Sequence, residues 1–164
     1  MIAANCDVAS LTGIDVIHVE TTLEMQSALQ AHFDSCDILI MSAAVADARP
    51  MRISEQKIKK ATLNSIELQQ NPDLLAELSP RKGKRVMVGF AAETKEHLQE
   101  ARRKLESKGL DVIYVNDVSG GAIFGQDTTM GTILLRNEAD IAIKEVSKDA
   151  LSNVLLDHAI RQLG

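Results

Sequence analysis

Apolar and polar positions along the chain fall into blocks that predict short strands alternating with helices. Met1 to Ala4 reads as a strand that starts at once, Asn5 to Gly13 as a loop, and Ile14 to Val19 as a second strand. Thr21 or Thr22 supplies the cap of a helix running to about Phe33, with Leu23, Met25, Ala28, Leu29 and Phe33 on an imperfect apolar face. Ile38-Leu39-Ile40-Met41 is a short, continuous, partly β-branched run, the pattern of a buried strand. Strand, helix and strand in that order predict a crossover with parallel pairing.

The second half repeats the pattern. Thr62 to Leu68 alternates as a strand, Asn71-Pro72-Asp73 turns the chain, and Leu74, Leu75 and Leu78 form the buried side of a helix that ends at Pro80 to Lys84. Arg85 to Phe90 is another strand. Thr94 caps a charged helix over Lys95 to Ser107, with Leu98, Ala101 and Leu105 inward and Gly109 as its stop. Val112 to Val115 is a strand that empties into Asn116-Asp117-Val118, and glycines 120, 121 and 125 mark a connection around Ile123 and Phe124. Thr132 to Arg136 and Ile141 to Val146 read as an antiparallel hairpin across Asn137-Glu138. Ser147 or Asp149 caps a last helix carrying Leu151, Val154, Leu155, His158 and Leu163 on one side. The pattern is an α/β protein, a parallel sheet finished by antiparallel strands near the C-terminus.

Two strand ends share one grammar. Ile38–Met41 runs into Ser42-Ala43-Ala44-Val45-Ala46-Asp47, and Val86-Met87-Val88 runs into Gly89-Phe90-Ala91-Ala92-Glu93. Small side chains beyond a strand let a ligand approach the backbone, and open α/β sheets bind ligands at that end. The loop from Arg49 to Lys60 then carries Arg49, Arg52, Lys57, Lys59 and Lys60 against one acid, Glu55. In a chain of formal net charge -5 this is a local positive island, suited to phosphate.

Length and composition narrow the classes. One domain spanning 1–164 is expected, with 45% hydrophobic and 25% charged residues. Aromatics make up 2%, with no Trp, which argues against a stacking surface for single strands, and the acidic balance argues against nucleic acid generally. Cys6 and Cys36 form no C-x-x-C pair, and no signal peptide or membrane-length apolar run is present, so a reducing, cytoplasmic setting is expected.

The individual residues leave alternatives open. Lys57 can neutralise charge developing on a phosphoryl oxygen or belong to a solvated basic loop. Asp47 can hold a sugar hydroxyl, a base edge or a metal, or be a strand-end carboxylate satisfied by backbone N–H groups. Asn116 and Asp117 suit amide or phosphate recognition, or are an ordinary turn pair. Phe90 walls a cleft or joins the core, the latter slightly favoured. His18, His32, His97 and His158 lack metal-ligand spacing, and neither cysteine has a base beside it. No G-x-x-x-x-G-K-[ST] loop and no G-x-G-x-x-G loop occurs, which weighs against a nicotinamide-linked oxidoreductase; a noncatalytic binding module is the rival of another class.

The blocks Ala43-Ala44-Val45-Ala46-Asp47, Lys57-Ile58-Lys59-Lys60, Asn71-Pro72-Asp73, Gly89-Phe90-Ala91-Ala92-Glu93-Thr94 and Asn116-Asp117-Val118, in this order, resemble phosphopantothenate–cysteine ligase of the bacterial type. The resemblance covers about residues 2 to 163. It implies a Rossmann-like, mostly parallel sheet flanked by helices, and a homodimer whose lysine loop closes over the site. It also implies coenzyme A biosynthesis from phosphopantothenate, L-cysteine and CTP with Mg²⁺, through an acyl-cytidylate. Lys57 matches the family's catalytic lysine, and Asp47 the aspartate that contacts the nucleotide. Ala43 and Ala44 match small residues beside the pantothenate arm, and Phe90 and Asn116 match residues lining the nucleotide and phosphate region. Lys59, Lys60 and Asp73 lie in matching blocks and join the expected binding set. No residue is assigned to a metal. Family members usually begin with a further strand, glycine-rich turn and helix, so the domain is expected to be N-terminally truncated, with a partner chain supplying that unit or the protein serving as a noncatalytic phosphometabolite-binding subunit. Gln126 stands where the family often has Asn.

Overall fold

The computed structural model describes residues 1–164 except 7–11, 55, 60–63, 94–97 and 119–125. Lys60, the start of the strand expected at Thr62, the Thr94 cap with the first turn of its helix, and the glycine connection at 120, 121 and 125 therefore lie outside the described residues. The elements are β1 (Ile2–Ala4), β2 (Ile17–Val19), α1 (Thr22–His32), β3 (Ile38–Met41), β4 (Ala48–Pro50), β5 (Leu68–Gln70), α2 (Leu74–Leu78), β6 (Val86–Glu93), α3 (Leu98–Ser107), β7 (Val112–Asp117), β8 (Thr128–Leu135), β9 (Ile141–Ser147) and α4 (Lys148–Leu163). The chain forms two compact units, Met1–Ala31 with Ala43–Leu74, and His32–Ser42 with Leu75–Gly164.

In the first unit β1 and β2 pair in parallel, Ile2 opposite Ile17. α1 begins in a capping box. Thr21 Oγ1 accepts from the Glu24 N–H at 3.2 Å, while Glu24 Oε2 accepts from the Glu20 and Thr21 N–H groups at 2.8 and 3.0 Å. Those two backbone donors hold the Glu24 carboxyl below its ordinary value. β4 and β5 form an antiparallel ribbon, Arg49 opposite Gln69. The strand expected over Thr62 to Leu68 is thus found at Leu68–Gln70. The expected crossover from β2 to β3 is not hydrogen-bonded as a pair among the described residues: β2 pairs with β1, and β3 with β6.

The second unit is built on a five-stranded sheet, order β3-β6-β7-β8-β9. β3, β6 and β7 run parallel, and β8 and β9 return antiparallel, as the α/β pattern predicted. One face buries Val86, Val88, Val112, Tyr114, Ile133 and Leu135 against Leu151, Leu155 and Ala159 of α4. Strand alternation sends Met87, Ile113, Val115 and Leu134 to the other face, where Ala101 and Leu105 of α3 and the following Leu110 are also fully buried. Gly89 faces that side: a Cβ there would meet Leu110 Cδ1 at 2.7 Å.

Helix ends follow the chemistry expected of them. α3 stops at Gly109, φ 67°, with Gly109 N–H to Glu106 O at 3.2 Å and Leu110 N–H to Leu105 O at 2.9 Å, the paired bonds of a Schellman motif. Ser147 caps α4 by accepting from the Ala150 N–H at 3.1 Å. Leu163, expected inside, is exposed, and Ala159 takes the buried position instead. Below the sheet, Asp111 accepts from the Met87 N–H at 2.8 Å and pairs with Lys82, tying β6 to the start of β7. Arg85 lies over the Phe33 ring at 5.3 Å and donates to Asp34 O at 2.7 Å.

Candidate functional site

The expected site residues divide between the units. In the first, Ala43 and Ala44 are exposed and irregular in backbone, as a corner that admits a ligand requires. Asp47 follows with an exposed side chain. Its carbonyl accepts from the Asn71 N–H at 2.8 Å, and the Asn71 side chain donates to Ala46 O at 2.8 Å. Arg49 completes the tie, donating to Asn71 Oδ1 at 2.8 Å and to Gln70 O at 3.1 Å. The corner and the Asn71-Pro72-Asp73 turn, distant in sequence, are thereby fastened together. Asp73 is exposed beside this tie.

Arg49 is consequently not a loop cation. It sits half-buried in β4 because its planar fork finds two carbonyl-type oxygens across the ribbon. Beyond the ribbon Lys57 and Lys59 are exposed, and just before them Ser54 Oγ donates to Gln56 O at 2.6 Å. Arg49 was expected as a loop cation for phosphate and Asn71 as part of a turn; the tie between them was not expected, since each taken singly reads as loop or turn.

A cleft of ≈ 580 Å³ in the same unit opens beyond β1 and β2, lined by Asn5, Cys6, His18, Glu20 and Glu24. Asn5 takes φ 48° and donates to Glu20 O at 3.1 Å. Parallel strand ends were the available signal for it; the sequence reading had only a loop there.

In the second unit Phe90 and Asn116 lie toward the C-terminal ends of β6 and β7. Phe90 lies in a strand, as expected over Arg85 to Phe90, but β6 continues through Glu93; the ladder with β7, Phe90 opposite Tyr114 and Glu93 opposite Asp117, carries it on. Phe90 is 38% exposed and is not core. Its ring meets Tyr114 edge-on, centroids 6.1 Å apart and planes at 72°. Beside them runs a polar chain: Tyr114 Oη to Thr129 Oγ1 at 2.8 Å, and Thr129 Oγ1 to Asn116 Oδ1 at 2.9 Å. Asp117 is turned to the opposite face, at a cleft of ≈ 380 Å³ also lined by Leu98, Val115, Met130, Thr132 and Lys144.

Among the described residues no three His, Cys, Asp or Glu side chains gather to hold a metal ion. Burial pushes the Cys36 thiol up, and its Sγ donates to Phe33 O at 3.2 Å, as for an inert thiol. No helix among the described residues is long and apolar enough to cross a membrane.

A family profile described as "DNA/pantothenate metabolism flavoprotein C-terminal domain" matches residues 1–163. The chain belongs to this family. Members of known description include the Coenzyme A biosynthesis bifunctional protein CoaBC of Vibrio cholerae, 40% identical over 155 residues, which covers 92% of this chain and 38% of that protein. The corresponding protein of Bacillus subtilis is 40% identical over 125 residues, 75% of this chain and 31% of that one. The chain thus spans about a third of the curated relatives it matches. A crystal structure of the C-terminal domain of the bifunctional protein CoaBC superposes with a TM-score of 0.79 at 27% identity, covering 99% of this chain and 74% of that one. This likeness carries the fold class into the family: a Rossmann-like sheet flanked by helices with antiparallel strands at the end.

Proposed function

We propose that this chain is the ligase part of a coenzyme A biosynthetic enzyme, joining phosphopantothenate to L-cysteine at the expense of CTP. The observation that carries the reading is the 40% identity to the Vibrio cholerae bifunctional protein across 92% of the chain. In the first step the phosphopantothenate carboxylate attacks the α-phosphorus of CTP, forming the acyl-cytidylate and releasing pyrophosphate. In the second the cysteine amine attacks the acyl carbon, loses a proton and releases cytidine monophosphate.

Lys57 is exposed on a chain segment beyond the ribbon, and in this reading its ammonium neutralises the charge that gathers on the departing pyrophosphate. Lys59, Lys60 and Asp73 assist in binding the charged substrates. Asp47 accepts a hydrogen bond from the nucleotide, its position set by the bond from Asn71 to its own carbonyl. Ala43 and Ala44 let the pantothenate arm pass beside the backbone. In the second unit Asn116 offers its amide to the phosphate region and Phe90 a half-exposed ring edge. The chain acts as a homodimer in this reading.

The test follows pyrophosphate release from the purified chain given phosphopantothenate, CTP and Mg²⁺, with ATP in parallel, and ligated product once cysteine is added. Release that is lost in Lys57→Ala, and greater with CTP than with ATP, is expected. Folded protein that binds CTP yet releases no pyrophosphate would show a noncatalytic binding subunit and overturn the ligase reading.

A further inference from the structure

We propose that Tyr114, Thr129 and Gly131 form a positioning relay that decides which end of the Asn116 amide faces the nucleotide phosphates. The inference rests on the ligase reading above and adds three residues to it. A side-chain amide has an accepting end and a donating end of nearly equal shape, and only the donating end suits an anion. Something has to choose between them.

The choice is built from hydroxyl protons. Tyr114 is 2% exposed, so its phenol finds its partner within the protein, and that partner is Thr129 at 2.8 Å. Each hydroxyl has one proton to give. The phenol is the stronger donor of the two, and burial raises its ionisation above the ordinary tyrosine value, so its proton stays in place. Thr129 accepts from Tyr114 and therefore has its own proton free for Asn116 Oδ1 at 2.9 Å. The run of donation is Tyr114 to Thr129 to Asn116. With Oδ1 held by Thr129, Nδ2 is turned away from it. Reversing the amide would set an N–H against a hydroxyl proton.

Gly131 makes the relay sterically feasible. It lies opposite Asn116 across β7 and β8, beside the register shift between Thr129 and Gly131. A Cβ at this position would stand 2.1 Å from Val115 O and 3.0 Å from Tyr114 Oη. The missing side chain is the passage through which the phenol reaches Thr129. Two positions before Gly131 in the same strand, Thr129 shares its face by ordinary alternation and so lies on the side of Tyr114 and Asn116. Phe90, edge-on to the Tyr114 ring, closes the other flank.

The full chain would be prepared with Thr129→Val, which keeps the shape and removes the hydroxyl, Thr129→Ser, which restores it, Asn116→Ala, and the Asn116→Ala/Thr129→Val pair. Affinity for CTP with Mg²⁺ is read by calorimetry, alongside thermal unfolding. Thr129→Val is expected to weaken CTP binding about ten-fold and Thr129→Ser to stay within about two-fold of the parent. On the Asn116→Ala background, Thr129→Val is expected to add less than about two-fold, because the group it orients is gone. Unchanged binding in Thr129→Val overturns the relay. So does a loss that persists in full without Asn116, which would mark a general structural role. Parent protein that binds no CTP would instead sink the ligase reading. In that event the Asn116 NH₂ resonances decide the relay: they should shift in Thr129→Val and hold in Thr129→Ser, and resonances unmoved in both overturn it.

Discussion

Asn71 can be removed without touching any group assigned to chemistry, which makes it a sensitive probe of the corner it holds. Asn71→Ala deletes the bond accepted from Arg49 and the bond donated to Ala46 O, both 2.8 Å, and keeps the backbone bond to Asp47 O. A net hydrogen bond contributes about 0.5–1.5 kcal/mol, and one to a charged group somewhat more. Arg49 and Asn71 are only half-buried, so the low end applies and the pair together should contribute about 2 kcal/mol. Local opening should then become about thirty-fold more frequent. Hydrogen exchange reads this directly, because the amide of residue 71 is the one bonded to Asp47 O. That amide should exchange about thirty-fold faster. The Met51 amide, bonded to Glu67 O at the far end of the ribbon, should change much less. The KM for CTP should rise in the same variant. Equal exchange at residue 71 in parent and variant would refute the claim that these two side-chain bonds hold the corner.

Three further outcomes follow from the packing and the titrating groups. Leu155→Ala, at a position 3% exposed under the sheet, should cost about 2–5 kcal/mol in urea unfolding, and a cost below about 1 kcal/mol would mean that the α4 face collapses readily. Burial, with Arg161 adding to it, holds His158 below the ordinary histidine value, so its contribution is intact above about pH 6.5 and is lost as pH falls through the lower folded value. His158→Gln should flatten that acid loss in a series of unfolding curves, and an unchanged pH slope would exclude the residue as its source. Tyr114, raised by burial and opposed by the Thr129 bond, is the chain's one tyrosine, so near-ultraviolet titration reports it alone. It should ionise above about pH 10, with stability falling as pH climbs through that range and Tyr114→Phe removing the fall.

Local pattern carried much of the architecture. The capping box at Thr21 and Glu24, the Gly109 stop and the Ser147 cap each depend on residues within one turn, and all three are legible in the chain. The antiparallel hairpin is legible too, although β8 starts four residues before the expected Thr132. Ile38–Met41 is a strand as its composition indicates, but it stands at the sheet edge and leaves Ile40 40% exposed; sequence reports apolar content, not neighbours. Ala91 and Ala92, beyond the strand expected over Arg85 to Phe90, looked like a corner because small residues have poor strand propensity, and pairing with β7 overrides that. The two ties that organise the candidate residues were not legible. Asn71 reaches Ala46 and Arg49 across more than twenty positions, and Thr129 reaches Asn116 and Tyr114 across thirteen and fifteen, through the pairing of β7 with β8.

The edge position of β3 has a consequence for the order in which the second unit assembles. The β8–β9 hairpin closes across about eight residues, whereas β3 reaches β6 across about fifty, a difference of about 1.6 kcal/mol in closure entropy. The block from β7 to α4 can therefore form as a local nucleus, with β3 recruited late. Held, among the described residues, by one ladder of four residues, β3 should also be the first strand of this sheet to peel away. Its covalent continuation is the Ala43–Asp47 corner, so the segment assigned to greet the substrate is fed by the strand that lets go most easily.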